Sequence, residues 1–251
     1  FQSLGIYFIE NISFGKFKLN AGIRWDNNFL KVDDKFISNG DDSGNINLSA
    51  WSNEIGFSYK ILERSYLFFN SSKSYETPTL SELSANPIGK GGFNDLLNVQ
   101  KANNFDFGLR FKSESTNFSI VGFMVNTEND LVPFELEEFP GRTFYQNAGK
   151  TLRKGIEIDF NHRLNEKLLA TITYNYTNFK YDEYKSGDLN LKGNYLPGIP
   201  TRFGNLELKY KNSKKLNIVY SRNYRGNLYA NDNNTEKISS FWRDDFNFSV
   251  A

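Results

Sequence analysis

The sequence predicts an all-β fold, an antiparallel β-barrel of the membrane-spanning kind, on three observations. Apolar and polar residues alternate with period two in segment after segment, the mark of strands with one greasy and one wet face. Short polar turns alternate with long loops, recurring about every 50 residues. Aromatic side chains are abundant (24 Phe, 14 Tyr, 3 Trp in 251 residues) while only 39% of the chain is hydrophobic and mean hydropathy is −0.56. That combination suits wide aromatic surfaces joined by polar loops, and the 33 Asn supply the loops.

Along the chain, Phe17–Trp25 places Phe17, Leu19, Ala21, Ile23 and Trp25 on one face against Lys18, Asn20, Gly22 and Arg24. Trp51–Tyr59 follows the same rule, and Phe105–Phe111 sets Phe105, Phe107, Leu109 and Phe111 against Asp106, Gly108 and Arg110. Phe118–Val125 is apolar on both parities, so its faces stay unassigned. Ile156–Phe160, Leu168–Tyr176 and Leu206–Tyr210 alternate again, and Phe241–Val250 closes the series. Short turns are expected near Phe14–Lys16, Leu62–Arg64, Ser113–Thr116, Asn165–Glu166 and Asn212–Lys215. Long loops are expected over Asn28–Ser49, Ser74–Asn103, Glu128–Arg142, Asp182–Pro200 and Asn227–Ser240. The pattern gives ten strands around five turns plus an eleventh, one trimmed rim and one elaborated rim, in a single domain over residues 1–251.

A soluble sandwich produces the same alternation. The barrel is preferred because many strands exceed the roughly 5–6 residues usual in globular sheets. The long loops also fall on one side, and the apolar sets end in aromatics. Phe17, Tyr59, Phe111, Phe160 and Tyr210 stand beside the short turns; Trp25, Trp51, Phe105 and Tyr176 stand at the other end. Eight residues of strand rise about 26 Å, or roughly 20 Å in height at a tilt of about 40°, close to the apolar band of an outer-membrane barrel.

Charge and composition exclude several functions. Thirty Lys and Arg balance 29 Asp and Glu, without the basic surplus of a nucleic-acid binder. The absence of Cys removes disulfides, thiolate metal sites and cysteine catalysis. The longest apolar stretch, Ile120–Val125, falls far short of the roughly 20 residues of a membrane helix. No signal peptide is visible at Phe1, so the chain is expected to be cytosolic or to lack its beginning.

With the apolar face turned to lipid, Lys18, Arg24, Asp106, Arg110, Glu157, Asp159, Glu207 and Lys209 face a watery lumen or a polar plug. His162 stands alone, and no acid–base pair or metal set suggests catalysis, a metal site or a cofactor. Glu135, Glu137 and Glu138, and the run Asn231–Glu236, are oxygen-rich but lack the spacing of a calcium loop. Gly89, Gly91 and Gly92 do not open a helix after a strand, so they form no phosphate cradle. Arg142, Tyr145, Tyr224, Arg225, Tyr229, Trp242 and Arg243 put cationic and aromatic groups near the elaborated rim, where they suit an anionic or aromatic ligand.

Four stretches, in order and at matching spacing, resemble the barrel of TonB-dependent outer-membrane receptors: Leu19–Asp26 (LNAGIRWD), Lys73–Leu83 (KSYETPTLSEL), Asn147–Phe160 (NAGKTLRKGIEIDF) and Tyr195–Phe203 (YLPGIPTRF). The resemblance implies a 22-stranded barrel closed by an N-terminal plug in the bacterial outer membrane. It implies import of a scarce ligand, most often a ferric siderophore, driven by the TonB–ExbB–ExbD complex acting through the N-terminal part. Against that pattern, no plug precedes Phe1 and the chain stops at an eleventh strand, so about half a barrel, truncated at both ends, is expected. A passive porin-like channel, a soluble binding protein, and cobalamin, haem or a glycan as cargo are the competing readings.

Overall fold

In a computed structural model the chain forms a long antiparallel meander, described for residues 1–38, 40–87, 92–136, 138–147, 149–186, 188–212 and 216–250. Gly89, Gly91, Glu137 and Lys215, which figure in the expectations above, lie outside the described residues. The strands run β1 (Gln2–Phe14), β2 (Phe17–Val32), β3 (Gly44–Leu62), β4 (Ser65–Glu76), β5 (Gln100–Lys112) and β6 (Thr116–Glu128). A short hairpin, β7 (Leu131–Glu135) and β8 (Thr143–Asn147), precedes β9 (Lys150–Arg163) and β10 (Leu168–Glu183). Two more small hairpins, β11 (Lys185–Ser186) with β12 (Leu189–Asn190) and β15 (Leu228–Tyr229) with β16 (Lys237–Ile238), decorate the loops. β13 (Arg202–Asn212), β14 (Leu216–Arg225) and β17 (Phe241–Val250) complete an 11-stranded sheet, ordered β1-β2-β3-β4-β5-β6-β9-β10-β13-β14-β17 among the described residues.

Register ties the alternation of each strand to its neighbours. One row runs Leu19, Phe57, Phe69, Phe107, Gly122, Ile156, Tyr176 across seven strands, all on the same face. The adjacent row, Lys18, Ser58, Phe68, Gly108, Val121, Glu157, Asn175, lies on the other face. The first face is apolar yet uncovered: Trp51 and Phe107 are each 60% exposed and Ile172 41%. An apolar surface of that extent is untenable in water and is what a hydrocarbon solvent requires. β6, apolar on both parities, is settled by its partners. Phe118, Ile120 and Met124 align with Phe111, Leu109 and Phe105 on the apolar face, which leaves Val121, Phe123 and Val125 inside. Phe123 finds cover there, meeting Phe179 edge-on at 6.0 Å between ring centres.

The strands outrun the expected loop boundaries. Asn28 still pairs with Leu48 and Val32 with Gly44, so the first long loop shrinks to residues 33–43. Above Trp25 and Trp51 the apolar set changes sides: Leu30, Ile46, Leu48 and Ala50 have the parity of the charged wall. They pack under the segment between β4 and β5, where Leu83, Phe93, Leu97 and Val99 form a buried cluster with Leu48 and Ala50. That segment carries the one-turn helix α1 (Leu80–Ser84), whose N-terminus is closed by a reciprocal Thr79–Glu82 capping box. A second cluster joins Tyr181, near the end of β10, to Tyr184, Leu191 and Leu196 in the segment that follows. The packed cores therefore sit in the loop layer, and the sheet itself has two solvent-type faces.

Candidate functional site

The charged face of the sheet is a polar ladder. Every sequence-predicted lumen residue (Arg24, Asp106, Arg110, Glu157, Asp159, Glu207 and Lys209) has the same parity in the register, together with Lys18, Asp26 and Glu54. Cross-strand hydrogen bonds knit it: Thr171 Oγ1 donates to Asn161 Oδ1 (2.8 Å), Asn205 Nδ2 to Asn223 Oδ1 (2.9 Å) and Asn223 Nδ2 to Asp245 Oδ2 (3.2 Å). Arg24 reaches Asp26 through a fork of contacts at 2.6–2.9 Å. Arg110 instead stacks on the Phe68 ring, 4.4 Å from its centre. A hydrated or polar-packed passage tolerates such a wall, whereas a dry one would leave most of these charges without partners.

Over one rim the five long connections interlock. Asn147 Nδ2 donates to the carbonyls of Asn98 (3.0 Å) and Asn129 (2.8 Å), and Asn98 N donates back to Asn147 Oδ1 (2.6 Å), tying the β4–β5 segment to the β7–β8 hairpin. Within that hairpin Leu131 packs on the first cluster and Val132 on the second. Arg153, on the wall, holds Asp130 at its foot at 2.9 Å. The segments after β10 and β14 are joined by Tyr181 Oη donating to Asp232 Oδ1 (2.6 Å), Asn194 Nδ2 to the Asp232 carbonyl (2.9 Å) and a reciprocal Asn234–Tyr195 pair (2.6 and 2.9 Å). Burial pushes the Tyr184 hydroxyl above its ordinary pKa, and the nearby Asp232 charge adds to the effect. The loops thus form a layer with its own core.

The seven rim residues are distributed over three environments. Arg142, Tyr145 and Tyr229 belong to the loop layer: Arg142 lies 5.0 Å from the Phe144 ring centre, Tyr145 packs on the first cluster and Tyr229 stacks on Tyr195 at 5.9 Å. Arg225 and Arg243 have the parity of the charged wall, Arg243 bonded to Asp245 at 2.9 Å. Tyr224 and Trp242 pair with each other on the apolar face, ring centres 4.5 Å apart. Nearness to the rim in sequence therefore does not gather them into one cluster. In Asn231–Glu236 the Asn231 Oδ1 accepts from the Thr235 and Glu236 amides, while Asp232 and Asn234 bond outward to Tyr181 and to Tyr195 of the segment after β10. Among the described residues no three His, Asp or Glu side chains converge as metal ligands.

Sequence reasoning missed the loop-layer contacts made by Arg153, Asp130, Tyr181, Asp232 and Asn234. Their only sequence signal is a polar or aromatic residue near a strand end or in a loop, which says nothing about a partner some 20 to 50 residues away.

The comparisons agree with this geometry. A family model described as "TonB dependent receptor-like, beta-barrel" matches residues 1–251. The ferric yersiniabactin uptake receptor FyuA of Yersinia pestis superposes with a TM-score of 0.75 at 16% identity, covering 99% of this chain and 38% of that one. The siderophore receptor PiuA of Acinetobacter baumannii gives 0.75 at 20% identity, covering 97% and 36%. The copper transporter OprC gives 0.79 at 16% identity, covering 99% and 39%. The chain therefore spans under two-fifths of the length of these neighbours, whose low identity carries the fold alone.

Proposed function

Because this chain belongs to the TonB-dependent receptor β-barrel family, one of outer-membrane transport receptors, we propose that it forms part of a receptor for active import. In this reading the interlocked loops capture a scarce ligand outside the cell. The ligand then passes a plug held against the charged wall, and TonB–ExbB–ExbD supplies the pull. A ferric siderophore is the proposed cargo, in keeping with the ferric yersiniabactin receptor FyuA and the siderophore receptor PiuA. The observation that carries the reading is the division of labour within one sheet: an uncovered apolar face, a charged face, and five long segments packed as one layer over a single rim.

A passive porin would keep a loop layer of this kind open to diffusion, so the two readings diverge on energy coupling. The test is uptake of radiolabelled ferric siderophores by a strain carrying the gene and by its deletion. The expected result is uptake of at least one siderophore that vanishes on deletion and on loss of TonB. Uptake of every siderophore unchanged by the deletion contradicts the iron assignment, and gene-dependent uptake indifferent to TonB contradicts the active mechanism.

A further inference from the structure

The apolar face carries a feature that import through the lumen does not use. On β6 Gly122 stands in the outward row Phe69, Phe107, Gly122, Ile156, Tyr176. A Cβ at Gly122 would meet only the Phe107 carbonyl oxygen, at 3.9 Å, so the space above it is open. The result is a groove in the apolar wall, lined by Phe105, Phe107, Met124, Ile156 and Tyr176.

Cations stand at the loop end of this groove, beyond its apolar floor. The next outward row toward the loops runs Phe105, Met124, Lys154, Asn178, and the row after it Lys73, Asn103, Asn126, Leu152, Lys180. Tyr176 ends the apolar set of β10 one row below Lys154, and Phe105 ends that of β5 one row below Lys73. Aromatic ends of this kind mark the boundary between hydrocarbon and headgroups, so both lysines lie on its headgroup side. Neither makes an ion pair among the described residues, and neither row contains an Asp or Glu. Acids enter one row further on, where Glu128 faces Lys101 and Glu183 holds Lys150 at 3.2 Å. Lys180 is engaged elsewhere, over the Tyr195 ring at 4.5 Å. Beside Lys154 across the register, Asn178 Oδ1 is buried with no hydrogen-bond partner among the described residues. Unneutralised lysines at a membrane boundary are stabilised by anionic headgroups, and a buried amide oxygen by an O–H or N–H donor.

From this arrangement we infer that the Gly122 groove and the lysines above it bind a phosphorylated glycolipid of the loop-side leaflet. One acyl chain descends over Gly122, Lys154 and Lys73 each hold a phosphate, and a headgroup donor meets Asn178 Oδ1. The lysines lie three strands and one row apart, roughly 16 Å at the backbone, which suits a headgroup bearing two phosphates. The inference rests on the apolar face being the lipid face, and the experiment separates failure of one from failure of the other. The complete receptor is placed in phosphatidylcholine vesicles containing a small fraction of an acyl-chain diazirine lipid. That lipid is either phosphatidylcholine or a diphosphorylated, acylated glucosamine disaccharide; after irradiation the labelled peptides are quantified. The site predicts labelling of residues 118–126 and 152–158 by the disaccharide in about 30-fold excess, from two lysine contacts at about fivefold each. Lys73→Gln with Lys154→Gln abolishes the excess, as does Gly122→Leu, which fills the groove where a Cβ has room. Lys150→Gln, at a lysine already paired with Glu183, leaves it intact. Equal labelling by the two lipids, or an excess that survives the double substitution, overturns the lipid site while leaving the lipid face standing. An excess lost to inorganic phosphate but not to sodium chloride of equal ionic strength also overturns it, because the site then takes a free anion. No labelling of outward residues by either lipid removes the lipid face and the site together.

Discussion

Ile172→Arg and Thr173→Arg put the same charge one residue apart on β10, and the register separates their fates. Ile172 faces outward between Phe160 and Leu206; Thr173 faces inward between Asp159 and Asn205. Ile172 is the midpoint of the apolar set from Leu168 to Tyr176, four residues from either end. At about 3.3 Å per residue and a tilt near 40°, that places it roughly 10 Å from each aromatic boundary, the depth at which an arginine on a barrel exterior costs about 2–4 kcal/mol. The folding equilibrium should fall by roughly 30- to 1000-fold. Thr173→Arg meets water and the Asp159 carboxylate, so its effect should stay within about 1 kcal/mol. Reversible denaturant titration of the protein in phospholipid vesicles, followed by tryptophan emission, gives both values. Equal costs, or a larger cost at Thr173, would refute the assignment of faces.

Three further outcomes follow from the loop layer. Gly149 has φ 67° and a Cβ there would collide with the Glu183 carbonyl oxygen, so Gly149→Ala should cost at least the 1–3 kcal/mol typical of a strained backbone. Gly193, at φ 86° with open space around it, should cost visibly less in the same titration. Tyr181→Phe removes the 2.6 Å bond to Asp232 and should speed amide hydrogen exchange across residues 226–240; unchanged exchange there would show that the bond does not hold the two loops together. Tyr184 has a raised folded-state pKa, so the folded layer keeps a proton that the unfolded chain gives up. Its stabilising effect is complete below about pH 10 and declines as pH rises above it. Limited proteolysis of the 184–201 segment should accelerate above that pH, and less so in Tyr184→Phe.

The meander was legible in the sequence because period-two alternation survives wherever one face must meet hydrocarbon. Phe17–Trp25, Phe105–Phe111 and Leu168–Tyr176 all emerge as written, and the turns near 15, 63 and 114 fall within a residue or two of the observed ones. The eleven-strand count follows from the same short–long rhythm. Legibility ends at the tryptophan row. Beyond Trp25 and Trp51 the apolar residues move to the inner parity to meet Leu83 and Phe93, so a reading tuned to the outer face sees a loop where the strands continue. β6 was ambiguous for a related reason: Phe123 and Val125 are apolar inside because the wall locally packs on itself.

The rim residues were less legible still. Tyr224 and Arg225 are adjacent in sequence, yet the pleat sends one to the apolar face and the other to the wall. Composition near a rim therefore gives the chemistry on offer without saying which side receives it. The cross-loop bonds of Asp232, Asn234 and Asn147 depend on segments brought together only by the folded sheet, and no local pattern announces them.

The most direct test of the central claim uses the absence of Cys from the sequence. Single cysteines at Leu19, Leu109 and Leu208, and at their neighbours Lys18, Arg110 and Lys209, are treated in bilayers with a membrane-impermeant thiol reagent or with a lipid-dissolved one. The leucine positions should react with the lipid-dissolved reagent and the charged positions with the aqueous one. Labelling in the opposite sense would contradict a barrel that is apolar outside and charged within.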